Sequence, residues 1–280
     1  MALKAMLVPV HEDGMARAVL ATACAFAKRY ACYVEGIMPD FTQTQALMVD
    51  MHGGAWMPPD LNRQKREIAA SREIFVNFME TVGIPNASRN GTKPSYHWLE
   101  AEISEMGGIA GYGRAFDLTV FSRSSPSVLS AGRALLEASL FESGRPILLA
   151  PPRQPATIGE HVVIAWNCST ESARTVAFAM PVLEQAKQVT VLTIEGGLVP
   201  GPSAADLARL LEMNGITAML HHAPARGRTS GAAILEEAAA IGCDLLIKGA
   251  YTQSRLRQMI FGGATSHILV AAEVPVLMAN

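Results

Sequence analysis

The amino-acid sequence predicts an α/β fold of two tandem doubly wound domains, each built on a parallel sheet. Short apolar runs rich in Val, Ile and Leu alternate with longer segments rich in Ala, Leu and Glu. This alternation is typical of buried parallel strands connected by crossover helices. The same succession of runs occurs twice along the 280 residues, and a chain of this length can form two domains of ordinary size.

Both predicted copies begin with a strand, a polar turn and a long helix. The first copy opens with an apolar run at 5–10, which leads into an Ala-rich segment. The second opens with the run at 161–166, followed by a predicted helix over 171–186. Ser169 or Thr170 precedes this helix and is suited to cap it, because a hydroxyl can accept from the N–H groups of a first turn.

The later elements of the two copies also correspond. The run at 116–122 matches that at 243–249 in kind and order, and the closing strand at 145–150 matches that at 274–279. Two copies of one fold are therefore the simplest interpretation.

A proline-rich segment at 151–155 separates the two copies. Proline lacks an N–H donor and stiffens the chain, so this segment suits a linker. We predict one domain at 1–155 and a second at 156–280. The first domain contains a methionine-rich insertion at 41–62, which suits either an apolar flap over its own domain or a surface for a protein partner.

The composition and the apolar runs of the sequence argue against several classes of protein. The formal net charge is −2 and 17% of the residues are charged, which argues against an electrostatic nucleic-acid binder. The N-terminal apolar stretch is too short for a signal peptide, and no apolar run reaches the roughly 20 residues that span a bilayer. The cysteines form no C-x-x-C pair, which argues against a disulfide framework and a zinc site. We therefore expect a cytoplasmic protein that binds no membrane, no nucleic acid and no zinc ion. The four cysteines are Cys24, Cys32, Cys168 and Cys243.

The most informative feature follows the apolar run 244–247 in the second domain. Gly249 lies just after this run, and the pair Gly262-Gly263 precedes another predicted helix. Glycine allows the backbone to approach an anion closely, and the N–H groups at a helix start point towards it. Doubly wound sheets also bind ligands beyond the carboxyl ends of their strands. The pattern predicts a phosphate site suited to ADP or ATP.

These residues resemble the universal stress protein family in its tandem two-domain form, and the resemblance covers nearly the whole chain. Nucleotide-binding members resemble one another in a Gly-x2-Gly-x9-Gly-Ser/Thr motif. Gly249 matches the first glycine and Gly262 the third, whereas Thr252 and Gly263 replace the second glycine and the hydroxyl residue. Thr265 matches a further hydroxyl position that the family often uses on phosphate.

The resemblance implies a Rossmann-like fold, similar to that of the adenine nucleotide alpha hydrolases, in which the closing strands pair the two copies as a pseudo-dimer. A further homodimer stays open. It also implies a non-catalytic stress-response protein that binds ATP or another adenine nucleotide, with Mg²⁺ if the nucleotide is ATP. The residues so implied in binding are Ala165, Asn167, Gly249, Ala250, Thr252, Gly262, Gly263, Ala264 and Thr265.

Three of these positions depart from the family pattern. Gly263 loses a hydroxyl but keeps a backbone N–H, at about 0.5–1.5 kcal/mol for one neutral hydrogen bond. Asn167 stands where the family has Asp, so an acceptor for a ribose hydroxyl remains without its charge. Thr252 is strained by about 1–3 kcal/mol if its position requires a positive φ.

The first domain departs further, and we predict that it does not bind ATP in the family manner. His11 replaces the expected Asp, and no glycine pair precedes 135–140, where a helix start is expected. Glu137 in this stretch would repel a phosphate.

Other residues carry weaker signals. His221 and His222 are adjacent on a predicted strand, so they point to opposite faces and cannot converge on one metal ion. Cys168 is predicted to be a small buried residue, the alternative being a redox-sensitive thiol at a helix start.

No catalytic motif is found, and we predict no enzyme activity. The alternatives are a nucleotide-independent scaffold that binds an unknown protein through the 41–62 insertion, and slow ATP hydrolysis or autophosphorylation.

Overall fold

The computed structural model describes residues 3–11, 14–39, 60–87, 93–100, 106–123, 131–251 and 263–280. Its contacts divide the chain into two units, 3–147 and 148–280, with the boundary eight residues before the predicted one at 155. Each unit consists of parallel strands and helices, so the predicted α/β class is confirmed in both. Most of the 41–62 insertion, at 41–59, lies outside the described residues.

The first unit contains a parallel sheet in the order β3-β2-β1-β4, the arrangement of a doubly wound half. A fifth strand starts beside β4, where the Thr119 N–H donates to the Pro146 carbonyl. In chain order its elements are β1 (Ala5–Pro9), α1 (Ala16–Tyr30), β2 (Tyr33–Ile37), α2 (Leu61–Thr81), β3 (Ser95–Trp98), α3 (Gly108–Gly113), β4 (Leu118–Ser122) and α4 (Ala131–Glu142). The next strand, β5 (Ile147–Ala150), contains the boundary between the two units, which falls after Ile147.

The second unit contains a parallel sheet in the order β10-β9-β6-β7-β8. Strand order reverses between β6 and β9, because β7 lies on one side of β6 and β9 on the other. This point is where a doubly wound sheet opens a crevice for a ligand. In chain order its elements are β6 (His161–Ala165), α5 (Thr170–Leu183), β7 (Gln188–Ile194), α6 (Ala204–Met213), β8 (Ala218–Ala223), α7 (Ser230–Ile241), β9 (Leu245–Gly249), α8 (Ala264–Ala271) and β10 (Val276–Ala279).

Hydroxyl residues start the helices of the second unit. The Ser169 side chain accepts from the Ser172 N–H, as its predicted capping role requires. Ser203 and Asp206 form a reciprocal capping box at α6. Thr229 caps α7 by accepting from the Ala232 N–H. Each cap satisfies N–H groups that have no partner inside the helix.

One helix boundary differs from the sequence prediction. The stretch 135–140 was expected to start a helix, but α4 already starts at Ala131, so this stretch lies inside it. Glu137 accepts from Arg133 four residues earlier, at 3.0 Å, and Arg133 is buried. A glycine at 132 in the first turn does not delay the helix, because its cost is offset by such contacts in later turns.

The repeat predicted from the sequence is visible in one carboxylate of each unit. Asp117, just before β4, accepts from the N–H groups of Lys4 and Ala5. Asp244, just before β9, accepts from those of Glu160 and His161. Each carboxylate thus fixes the start of the first strand of its own unit.

We expect Asp244→Ala to lower the free energy of unfolding of the second domain by about 2 kcal/mol. The change leaves two backbone N–H groups without their charged acceptor, and such bonds contribute about 1.5–3 kcal/mol. Chemical unfolding monitored by amide hydrogen exchange in β6 measures the loss. Asp244→Asn, which keeps one acceptor oxygen, should lose about half as much, and equal losses for both variants would contradict this explanation.

Candidate functional site

The candidate site lies at the carboxyl ends of β6 and β9, where the sheet of the second unit reverses its strand order. Ala165 on β6 pairs in register with Lys248 on β9. The start of α5 follows β6, and the start of α8 lies against the end of β9 through the bond between Thr265 and Lys248. These are the elements in which the sequence placed the nucleotide residues.

Gly249 is required here by packing inside the protein. A Cβ atom at this position would lie 2.6 Å from the carbonyl carbon of Glu171 and closer still to the backbone nitrogen of Ser172. Both are backbone atoms of the first turn of α5, so they cannot move aside cheaply. The first glycine of the motif therefore lets α5 rest directly on β9, whichever ligand binds.

The turn after β9 is closed by bonds within the protein. The Ala250 N–H donates to the Ala279 carbonyl at 2.8 Å, and the Ala250 carbonyl accepts from the Asn280 side chain. Tyr251 follows with φ at +57°, a left-handed conformation that costs a residue with a side chain about 1–2 kcal/mol. Its N–H donates to the Thr265 hydroxyl at 3.2 Å. The backbone groups of Ala250 are therefore engaged inside the protein.

Lys248 carries a buried ammonium group at the end of β9. Its side chain donates to the Gly249 carbonyl at 2.6 Å and to the Thr265 hydroxyl at 3.2 Å. Burial lowers the pKa of Lys248 to about 8, and the nearby charge of Glu171 opposes this shift. Within the described ranges no carboxylate oxygen lies within 4 Å of the ammonium nitrogen.

Helix α8 starts without a side-chain cap. Its N-cap residue is Gly263, in an extended conformation, and Ala264 and Thr265 form the beginning of the first turn. The N–H groups of a first turn have no partner within the helix and carry the positive end of its dipole. A buried cation and a helix start, with no described carboxylate in contact with the cation, fit an anionic group such as a phosphate.

The end of β6 forms the other side of the site. The Asn167 side chain accepts from the Ser169 N–H at 3.3 Å, and its carbonyl accepts from the Val199 N–H. Ala165 is buried. Asn167 therefore shapes the turn into α5, a role that the sequence did not assign to it.

Cys168 lies half-buried in this turn with φ at +69°. Burial raises the pKa of its thiol, and a hydrogen bond with Trp166 opposes the rise. A raised thiol pKa means less thiolate at neutral pH, which argues against the redox-sensitive alternative.

The structure brings together most of the sequence-predicted residues. Ala165, Asn167, Gly249, Ala250, Gly263, Ala264 and Thr265 all lie at the ends of β6 and β9 or at the start of α8. Thr252 and Gly262 lie outside the described residues. Sequence analysis missed Lys248 as a site residue. Its signal was a single charge inside an otherwise apolar strand, which indicates a polar function where burial is costly.

The paired histidines have separate contacts on β8. His222 bonds to the Thr193 hydroxyl at 2.9 Å, and His221 bonds to Glu237 at 3.2 Å. The histidines thus have different partners, as the strand geometry predicted. In the segments that the structure describes, no three His, Cys, Asp or Glu side chains are grouped to hold a metal ion.

The family model for the universal stress protein family matches residues 220–280. This segment contains most of β8 and all of α7, β9, α8 and β10, so it includes the end of β9 and the start of α8, where the candidate site lies. Residues 220–280 are thus similar to the universal stress protein family. The resemblance inferred from the glycine motif is confirmed for this segment.

Comparison with solved structures extends the fold over the whole chain. A universal stress protein from Archaeoglobus fulgidus is 16% identical, with a TM-score of 0.72, and the alignment covers 100% of this chain and 97% of that one. A functionally unknown protein from Pseudomonas aeruginosa PAO1 is 14% identical, with a TM-score of 0.55, over 99% of this chain and 92% of that one. At these identities the likeness shows the fold, which is the predicted Rossmann-like one. No curated protein matches the chain.

None of the described helices combines the length and apolar character that crossing a membrane requires.

Proposed function

We propose that the chain is a cytoplasmic, non-catalytic tandem universal stress protein whose second domain binds an adenine nucleotide and regulates a stress response. One observation carries the nucleotide part. The buried ammonium of Lys248 lies at the start of α8, and no described carboxylate contacts it. A phosphate would supply the missing negative charge, and the proposal follows from that complementarity.

The described residues suggest how a nucleotide would be held. Gly263, Ala264 and Thr265 would contact the phosphates, as the start of α8. Ala165 and Asn167 would lie beside the base and the sugar. Mg²⁺ would accompany ATP and neutralise part of the triphosphate charge.

The non-catalytic part of the proposal is supported by the amino-acid sequence, in which no known catalytic motif is found. We propose that the first domain serves as the structural partner of the second and does not bind ATP. In that domain His11 stands where the family has Asp.

The test is isothermal calorimetry of the purified chain with ATP, using Ala264→Glu as the disabling variant. Ala264 is half-buried at the first position of α8, where a carboxylate favours the helix but repels a phosphate. We expect the wild-type chain to bind about one ATP per chain, and Ala264→Glu to weaken binding at least tenfold.

The matched control is Ala240→Glu, the same change at an exposed position near the end of α7. Helix α7 ends just before the amino end of β9, whereas the candidate site lies at the carboxyl end of that strand. It should bind ATP as the wild type does. A wild-type chain that gives no heat and carries no nucleotide at millimolar concentration would refute the nucleotide part of the proposal.

A second candidate function is nucleotide-independent binding of a protein partner. Large apolar side chains are exposed on the neighbouring elements α6 and β8, and exposed apolar groups of this kind mark interaction surfaces. They are Leu210, Met213, Met219 and Leu220. Under this alternative Ala264→Glu leaves partner binding intact, whereas a charge at Leu220 disrupts it. The 41–62 insertion stays a second candidate surface from the sequence.

A further inference from the structure

The hydroxyl of Thr265 has both of its acceptor positions occupied. It accepts from the Lys248 ammonium and from the Tyr251 N–H, each at 3.2 Å. A threonine hydroxyl offers two acceptor lone pairs and one donor proton. The remaining capacity of Thr265 is therefore its proton, for which the described residues provide no acceptor. The residue is only 2% exposed, so water does not readily fill that role.

A buried donor that finds no acceptor among the described residues is unfavourable, and this one lies in the first turn of α8. The N–H groups of that turn are also donors, and their dipole is positive at this end. The Lys248 ammonium adds a full positive charge. The Thr265 proton and the N–H groups of the helix start can each donate a hydrogen bond, and the Lys248 ammonium attracts negative charge. A phosphoryl group provides both acceptor oxygens and negative charge.

Glu171 is the one described acid whose charge raises the pKa of Lys248. It does not come within 4 Å of the ammonium. The charge of Lys248 is thus offset only partly by the described residues, and a ligand can complete the balance.

We propose that Lys248 fixes Thr265 as a hydrogen-bond donor to a phosphate and provides the positive charge of the site, which makes binding selective for phosphorylated ligands over the bare nucleoside. This inference rests on the proposed nucleotide site. Lys248 acts here as a positioning residue, through the hydroxyl of Thr265.

The experiment is calorimetry with ATP, AMP and adenosine on the full chain and four variants. Lys248→Met removes the charge and the bond but keeps the length of the side chain. Thr265→Val removes the hydroxyl at constant shape, and Thr265→Ser keeps it. The double variant combines Lys248→Met with Thr265→Val. Circular dichroism of each variant verifies that the fold is retained.

We expect Lys248→Met to weaken ATP binding about 10- to 100-fold, the range for loss of a charge-assisted hydrogen bond. Adenosine binding should stay within about twofold of the wild type, a split that a general loss of structure would not produce. Thr265→Ser should bind ATP nearly as the wild type does. The double variant should lose less than the product of the two single losses, because both changes remove the same bond.

Failure of this inference is distinct from failure of the proposed function. A wild-type chain that binds neither ATP nor adenosine overturns the nucleotide site itself. A wild-type chain that binds ATP, together with a Lys248→Met variant of equal ATP affinity, overturns only the role of Lys248. If Lys248→Met does not fold, Thr265→Val tests the same bond, and unchanged ATP affinity in that variant overturns the inference.

Discussion

Lys248→Met is expected to raise the free energy of unfolding of the second domain by about 2 kcal/mol at pH 7. Lowering the pKa of a buried lysine from 10.5 to about 8 costs the folded state about 3 kcal/mol, at 1.36 kcal/mol for each pKa unit. Methionine removes this cost and fills a similar volume. The loss of the bonds to Gly249 and Thr265 reduces this gain in stability by about 1 kcal/mol.

The same substitution should remove a pH dependence. Between pH 8 and 10.5 the unfolded chain keeps the lysine proton and the folded chain has lost it, so the stability of the wild type rises with pH in this window. Three buried cysteines act in the opposite direction above pH 9, because burial raises their pKa values from 9.0 to about 12. They are common to both proteins and cancel in the comparison.

Unfolding in urea at pH 7, 8, 9 and 10.5, followed by amide hydrogen exchange in β9, measures both effects. The advantage of Lys248→Met should shrink steadily as the pH rises and reverse or vanish by pH 10.5. A constant difference across this range would show that Lys248 is not a charged group buried in the folded state.

Gly249→Ala is expected to destabilise the second domain by about 3 kcal/mol or more. The added Cβ would overlap backbone atoms of Glu171 and Ser172, so α5 must move away from β9. Overpacking of this kind typically costs about 1–3 kcal/mol, and a backbone obstacle places it at the upper end. Nucleotide binding should fall as well, because α5 and β9 both border the site.

The control for this prediction is Gly132→Ala. A Cβ there meets nothing within 4 Å, and the residue lies in helix α4. Alanine favours a helix over glycine by up to about 1 kcal/mol, so this variant should be as stable as the wild type or slightly more so. Thermal unfolding of both variants makes the comparison. A Gly249→Ala protein with unchanged stability would mean that α5 does not rest on β9 as described.

The sequence predicted the repeated strands and helices because their signals are local. Apolar runs, a hydroxyl cap at Ser169 and the glycines after the strands are all read from neighbouring residues. The start of α4 was misplaced because the pairing of Arg133 with Glu137 depends on side chains one turn apart, which outweigh the glycine at 132.

The position of the site was also predicted from local signals, whereas the contacts that determine its chemistry were not predicted. Gly249 was assigned to a phosphate because a glycine after a strand is common in such turns. Gly249 contacts the first turn of α5, which lies about 80 residues earlier in the chain. Neither segment contains a local sequence pattern that indicates this contact. Lys248 was overlooked because its partner Thr265 comes from another element, and only the fold places the ammonium beside that hydroxyl.

The carboxylates of Asp117 and Asp244 have a consequence for synthesis on the ribosome. Asp117 stands 113 residues after Lys4, and Asp244 stands 84 residues after Glu160. The ribosome adds about 5–20 residues per second, so several seconds pass between synthesis of the first strand of each domain and synthesis of the aspartate that anchors it. During that interval one edge of β1 or β6 is open to other nascent chains. The first domain waits longer, so crowded polysomes expose it to mispairing for more time than the second.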